Sequence, residues 1–344
     1  MPRRALGTRD ARHETRGRSQ SAAGQDKGRR RNETVVTRVS GRESRVSGPH
    51  RKRPRVLMLR TAGTNCDGET ATAFRMAGAE VASCHVNELV RDPQRLDACQ
   101  VLALPGGFTY GDDVASGKIL ANELRCKLGE PLHRFVNSGK LMIGICNGFQ
   151  ALVKAGFLPG TGSGLAVEAT LTTNDSGRFE DRWVWLRPGD APPHKASSLR
   201  SGTLWGPRGG RGTGDEKRSA IASCVWTRGI DRFFELPVAH GEGKFVARDG
   251  HVLERMRRQG QIVLRYVSAD GKPSGYPGNP NGSVDDIAGI CDATGRVLGL
   301  MPHPERHVVS TQHPRWTRGD ARHDGLGDGL AIFRNGVKHA AQLL

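Results

Sequence analysis

The sequence predicts an α/β fold: a mostly parallel central sheet with helices on both faces, continued by a β-rich C-terminal part. Three observations carry that expectation. Short continuous apolar runs of buried-strand type recur at residues 56–59, 101–104 and 141–143. The segments between them place apolar residues at helical spacing. After Gly160 the texture changes to strand-like runs with few helices between them.

Element by element, residues 56–59 form the first strand, and Asp67 caps a helix carrying Ala71, Phe74 and Ala77, with Gly78 as its stop. Residues 80–86 alternate as a second strand. Residues 101–104 form a third, ended by Pro105-Gly106-Gly107. One helix runs through Ile119, Leu120 and Leu124, and another precedes Gly139. A buried strand then leads into Cys146 and a helix through Leu152 and Val153. Residues 165–172, 178–186, 236–240 and 261–268 read as strands, and 287–300 as two strands joined by the turn Asp292-Ala293-Thr294-Gly295. A closing helix occupies 330–344. The β-rich half extends the first sheet rather than forming a separate domain, and no internal repeat is present. Ligands of such a sheet sit at the carboxyl ends of its strands.

The net charge of +17 is uneven. Residues 1–55 hold 17 Lys/Arg against 5 Asp/Glu, and residues 187–220 hold 7 against 3, so the remainder carries only about +1. The first segment, 1–53, is a basic extension rich in Arg, Gly and Ser without apolar periodicity, and an unstructured tail is expected there. The second, an insert at about 188–220, holds Pro188, Pro192, Pro193 and Pro207 and the run Gly209-Gly210-Arg211-Gly212, which also resists packing. The domain proper is thus expected at 54–344. Solvated tails explain these charges better than a nucleic-acid partner. No apolar run is long enough to cross a bilayer. Seven scattered cysteines without a C-x-x-C pair argue for a reducing, cytoplasmic location and against a zinc ribbon or disulfide framework.

The chemistry concentrates in Gly144-Ile145-Cys146-Asn147-Gly148. A strand, a tight turn and a helix lift a cysteine clear of the sheet and aim it at a helix N-terminus, which suits a nucleophile; the flanking glycines are expected to take the sharp bend. Met301-Pro302-His303-Pro304-Glu305-Arg306 follows another apolar strand. Its prolines exclude helix, so an extended segment presents His303 and Glu305 on one side, the carboxylate orienting the imidazole toward Cys146. The amide of Asn147 and a backbone amide of Pro105-Gly106-Gly107-Phe108, namely Gly107, are candidate oxyanion donors. Gln150, one helical turn on, is placed to contact substrate. Ser116-Gly117-Lys118 resembles a phosphate loop, but its spacing from Gly111 is one residue too long and Ile119 replaces the required hydroxyl. His303, His307 and His313 lack the helical pairing of a zinc site, so no metal is expected. Cys66 lies at the end of the first strand and so near the site, but without a base beside it reads as structural.

Gly144-Ile145-Cys146-Asn147-Gly148-Phe149-Gln150 with His303-Pro304-Glu305 resembles the class I glutamine amidotransferases, which have a flavodoxin-like fold. More narrowly the chain resembles the glutaminase subunits of phosphoribosylformylglycinamidine synthase. That narrower likeness rests on Gly63-Thr64-Asn65-Cys66-Asp67, Pro105-Gly106-Gly107-Phe108-Thr109-Tyr110-Gly111-Asp112, Ser176-Gly177-Arg178-Phe179-Glu180, Pro237-Val238-Ala239-His240-Gly241-Glu242-Gly243, Asn279-Pro280-Asn281-Gly282-Ser283 and Gly299-Leu300-Met301-Pro302-His303-Pro304-Glu305-Arg306. The resemblance implies L-glutamine as substrate, Cys146, His303 and Glu305 as triad, and Gly106, Gly107, Phe108, Asn147 and Gln150 around the glutamine and its oxyanion. It implies no cofactor in this chain. ATP and Mg are expected on a synthetase partner, accompanied by a small accessory subunit. The basic extension and the insert depart from the family pattern without removing a catalytic residue. A stand-alone cysteine hydrolase or peptidase-like protein of the same fold is the alternative.

Overall fold

The computed structural model describes residues 52–160, 166–189, 224–318 and 324–344. Nearly all of the expected extension at 1–53 and of the expected insert at 188–220 lies outside the described residues.

The first half alternates as the apolar runs require: β1 (Arg55–Arg60), α1 (Asp67–Met76), β2 (Glu80–His85), α2 (Val86–Arg91), β3 (Val101–Leu104), α3 (Lys118–Asn137), β4 (Leu141–Ile145) and α4 (Asn147–Ala155). β1 pairs in parallel with β2 and β3, and β3 with β4. Every residue of β3 and β4 is buried, as expected of strands covered on both faces. The second half contributes β5 (Ala169–Thr173), β6 (Glu180–Pro188), β7 (Phe234–His240), β8 (Glu242–Ala247), α5 (Gly250–Arg258), β9 (Ile262–Val267), β10 (Ile287–Cys291), β11 (Val297–Leu300) and α6 (Leu330–Ala340).

One sheet joins the halves, in the order β2-β1-β3-β4-β11-β10-β9-β6-β7, while β5 and β8 form a separate two-stranded sheet. β11 lies parallel to β4, Leu300 opposite Ile145, so both strands end at the same edge. Beyond β11 all pairings are antiparallel. The β10–β11 turn is held by the Asp292 carboxylate, which accepts from the amides of Thr294, Arg296 and Val297. The closing helix α6 docks on α1: Phe333 meets Phe74 edge-on at 4.9 Å, and Gly336 lies so close to Trp226 that a Cβ there would stand 2.2 Å from the ring.

Several local expectations are corrected. The two helices expected before Gly139 are one, α3, which runs through Pro131 because the fully buried Leu128 and Leu132 pin it on either side. Val86 opens α2 instead of ending β2, the His85 side chain accepting from the Asn87 amide. Asp67 is the first residue of α1 rather than its cap, its carboxylate drawn 2.7 Å from Arg60 Nε. α5, capped by Asp249 on the Val252 amide, stands between β8 and β9. The segment after β11 is extended only at His303; Pro304–Arg306 turns as a 3-10 helix, where proline in first position loses no hydrogen bond.

Candidate active site

Cys146 sits between β4 and α4 with φ +50° and ψ −106°, a conformation that side chains other than glycine rarely take. The bend expected of the flanking glycines is therefore carried by the cysteine. The glycines serve close approach instead: a Cβ on Gly148 would lie 2.0 Å from the Leu104 carbonyl oxygen, and one on Gly144 would lie 2.6 Å from that of Gly148. The Cys146 amide donates to the Leu300 carbonyl at 2.8 Å, tying the turn to the end of β11.

That tie brings in His303. Its Nδ1–H donates to Glu305 Oε1 at 2.6 Å, and both side chains are buried, at 1% and 0% exposure. The His303 amide donates to the Pro237 carbonyl at 2.8 Å, so β7, the far edge of the sheet, comes round to the same place. Ala239 O lies 3.8 Å from Cys146 Sγ. His303 Nε2 is buried without a conventional hydrogen bond among the described residues. Burial opposes charge on the imidazole, but Glu305 and the thiols of Cys146 and Cys66 outweigh it and raise the His303 pKa well above the usual histidine value. A proton taken from Cys146 has a stable home there.

The loop after β3 closes over these groups. A Cβ on Gly106 would stand 2.9 Å from His303 Cε1, 3.2 Å from Cys66 Sγ and 3.4 Å from Cys146 Cβ, so a bare backbone faces all three. The Gly106 carbonyl accepts from the amides of Asn65 and Cys66 at 3.4 and 3.2 Å. In a trans peptide this turns the Gly107 N–H away from that loop. Phe108 is half exposed and stacks on Phe179, ring centroids 6.3 Å apart.

Asn147 and Gln150 lie inside α4 as expected, but their side chains are committed to protein. Asn147 accepts from Thr109 Oγ1 at 2.6 Å and donates to Asp112 Oδ1 and Gln150 Oε1 at 2.9 and 3.1 Å. Gln150 Nε2 donates to the Glu242 carbonyl, so its influence on a ligand passes through that backbone. The Ser116 and Gly117 amides at the start of α3, which a phosphate loop would offer to phosphate, donate to Glu242 Oε2 and Asp112 Oδ1.

Three features escaped the sequence. Cys66 does have a base beside it: donor atoms of Cys66, His303 and Glu305 lie within 4.8 Å of one another, the one buried set among the described residues able to hold a metal ion. Arg306 Nη2 donates to Cys66 Sγ at 3.1 Å. His240 donates from Nδ1 to Asn174 Oδ1 at 3.2 Å; burial, with the positive charge of His303 nearby, pushes its pKa down to about 3 and keeps it neutral. The strand-end rule had already placed Cys66, after β1, near the site without its base, and was the available signal for His240, which ends β7. His307 and His313 gather apart from His303, around Trp183 and Glu235.

The comparisons agree with this geometry. Residues 53–213 and 213–340 match the CobB/CobQ-like glutamine amidotransferase domain. Phosphoribosylformylglycinamidine synthase subunit PurQ of Dehalococcoides mccartyi is 47% identical over 84% of this chain and 98% of its own length. The protein of the same name from Archaeoglobus fulgidus is 36% identical over 85% and 99%. Among solved structures, PurLQS from Thermotoga maritima aligns with a TM-score of 0.56 and 27% identity, over 83% of this chain and 99% of that one. With the Cys146 turn, the histidine–carboxylate pair and the glycine loop at one sheet edge, the chain belongs to the CobB/CobQ-like glutamine amidotransferase family and, within it, to the PurQ subunits of phosphoribosylformylglycinamidine synthase.

Proposed function

We propose that the chain hydrolyses L-glutamine at Cys146 and delivers the ammonia to an ATP-dependent synthetase subunit. The observation that carries this reading is the convergence of a left-handed Cys146 and the buried His303–Glu305 pair at the ends of adjacent parallel strands. His303 withdraws the Cys146 proton and holds it as imidazolium, and the thiolate attacks the side-chain amide carbon of glutamine. The amides of Asn147 and Gly107 stabilise the oxyanion. His303 then protonates the leaving nitrogen, ammonia departs, and a γ-glutamyl thioester remains on Cys146. Water, deprotonated by His303, attacks the thioester; glutamate leaves and the thiol is restored.

The relatives' shared name supports the acceptor: a synthetase partner converts formylglycinamide ribonucleotide to formylglycinamidine ribonucleotide, in de novo purine biosynthesis. ATP and Mg act on that partner, with a small accessory subunit completing the complex in the cytoplasm. No helix among the described residues is long and apolar enough to cross a membrane. Glutamine hydrolysis by the purified chain, with and without its synthetase partners and their nucleotides, tests the reading. Strong activation only in the complex is expected. Full turnover by the isolated chain would overturn it in favour of a stand-alone hydrolase.

A further inference from the structure

Cys66 has no step in that reaction, yet it faces the same small volume as the nucleophile. The point a Cβ on Gly106 would occupy lies 3.2 Å from Cys66 Sγ and 3.4 Å from Cys146 Cβ, and the glycine leaves that gap open. His303 borders it as well, its Cε1 2.9 Å from the same point.

The position of Cys66 is built. Its amide and that of Asn65 both donate to the Gly106 carbonyl, and the Phe108 and Tyr110 amides donate to the carbonyls of Gly63 and Ala62 at 2.9 Å. The loop after β1 is thereby zipped to the loop after β3. Arg306 Nη2 donates to the Cys66 sulfur at 3.1 Å, and Arg306 Nε lies 3.6 Å from Glu69, so a fixed cation stands beside a second buried thiol. A sulfur that serves only to pack needs no such partner. A positively charged neighbour and an adjacent imidazole are what a thiol that attacks another sulfur requires.

We propose that Cys66 is the resolving thiol of an oxidation site at Cys146, the oxidant being a hydroperoxide and the product a Cys66–Cys146 disulfide. In the first step the Cys146 sulfur attacks the terminal peroxide oxygen. The O–O bond breaks, an S–O bond forms, and the sulfur's electron pair reduces the peroxide to water or an alcohol, leaving a sulfenic acid. In the second step the Cys66 sulfur attacks the Cys146 sulfur. The S–S bond forms as the S–O bond breaks, and hydroxide leaves as water with a proton from His303. A dithiol reverses the linkage by exchange. The disulfide blocks the nucleophile but protects it from the irreversible sulfinic and sulfonic states.

The site does not depend on which amide Cys146 cleaves, and it is tested without an activity assay. The full chain is treated with hydrogen peroxide near stoichiometry, free thiols are blocked, and peptides are mapped without reduction. A Cys66–Cys146 linkage is expected, together with return of alkylatable Cys146 after dithiothreitol. In Cys66→Ser and Cys66→Ala chains, Cys146 is expected to run on to sulfinic acid and to recover at least about fivefold less. Sulfinic acid at Cys146 in the unaltered chain without any linkage to Cys66 would overturn the proposal, and that reading needs no variant to fold. Equal recovery in folded variants and unaltered chain would overturn it too.

Discussion

At Cys146 the chain holds φ +50° and ψ −106°, a backbone state costing about 1–3 kcal/mol that persists only where its surroundings over-determine it. Here the surroundings are the 2.8 Å bond from its amide to Leu300 and the close seating of Gly148 under Leu104. The neighbouring His303 draws its character from Glu305. Its raised pKa keeps the imidazole charged below that value, and the charge is lost as pH rises through it. Glu305→Gln removes the carboxylate charge and lowers that pKa, so the alkaline limb of glutaminase activity in the complex should move to lower pH. Loss of the oriented acid–base should also reduce kcat by on the order of 10²–10⁴. An unchanged alkaline limb in a pH–rate profile would show that Glu305 does not govern the imidazole. That Cys146, His303 and Glu305 come to one sheet edge was legible because each follows an apolar strand. The partners of Cys66 were not, because Arg306 and His303 lie more than two hundred residues away and only the fold brings them near.

Helix α4 carries a buried polar network that holds the loops around Cys146. Lys154 Nζ donates to the Ser116 carbonyl at 2.6 Å and lies 3.6 Å from Glu242 Oε2, while Asn147 binds Asp112. Burial lowers the Lys154 pKa, Glu242 partly offsetting it. Removing the ammonium leaves the Ser116 carbonyl without its donor and the Glu242 charge without its cation, held by the Ser116 amide. Lys154→Ala should therefore lower unfolding stability by about 2–4 kcal/mol in urea titration; a loss under about 0.5 kcal/mol would show the pair to be exposed and dispensable. Elements of this kind divide sharply in legibility. β3 and β4 announce themselves as unbroken apolar runs. The continuity of α3 does not: Gly129, Glu130 and Pro131 read locally as a stop, and only burial of Leu128 and Leu132 carries the helix across. The helix α5 had a local signal in Asp249 and its basic last turn, overshadowed by the strands around it.

At the scale of the molecule, one nine-stranded sheet among the described residues does the positioning. The parallel half supplies the ends that bear Gly106, Cys146 and His303, and the antiparallel half comes round to place Pro237 and Ala239 against them. That the β-rich half continues the first sheet was readable from its strand-like runs. That the edge strand β7 returns to Cys146 was not, since strand order and curvature leave no local mark in sequence. The measurement that bears most directly on the central claim is formylglycinamidine ribonucleotide synthesis by the assembled complex, with glutamine or with ammonium as nitrogen source, for the unaltered chain and for Cys146→Ala. Loss of the glutamine-dependent rate with the ammonium-dependent rate retained is the expected result. Equal loss of both would contradict the account, making Cys146 a structural residue of the complex rather than its nucleophile.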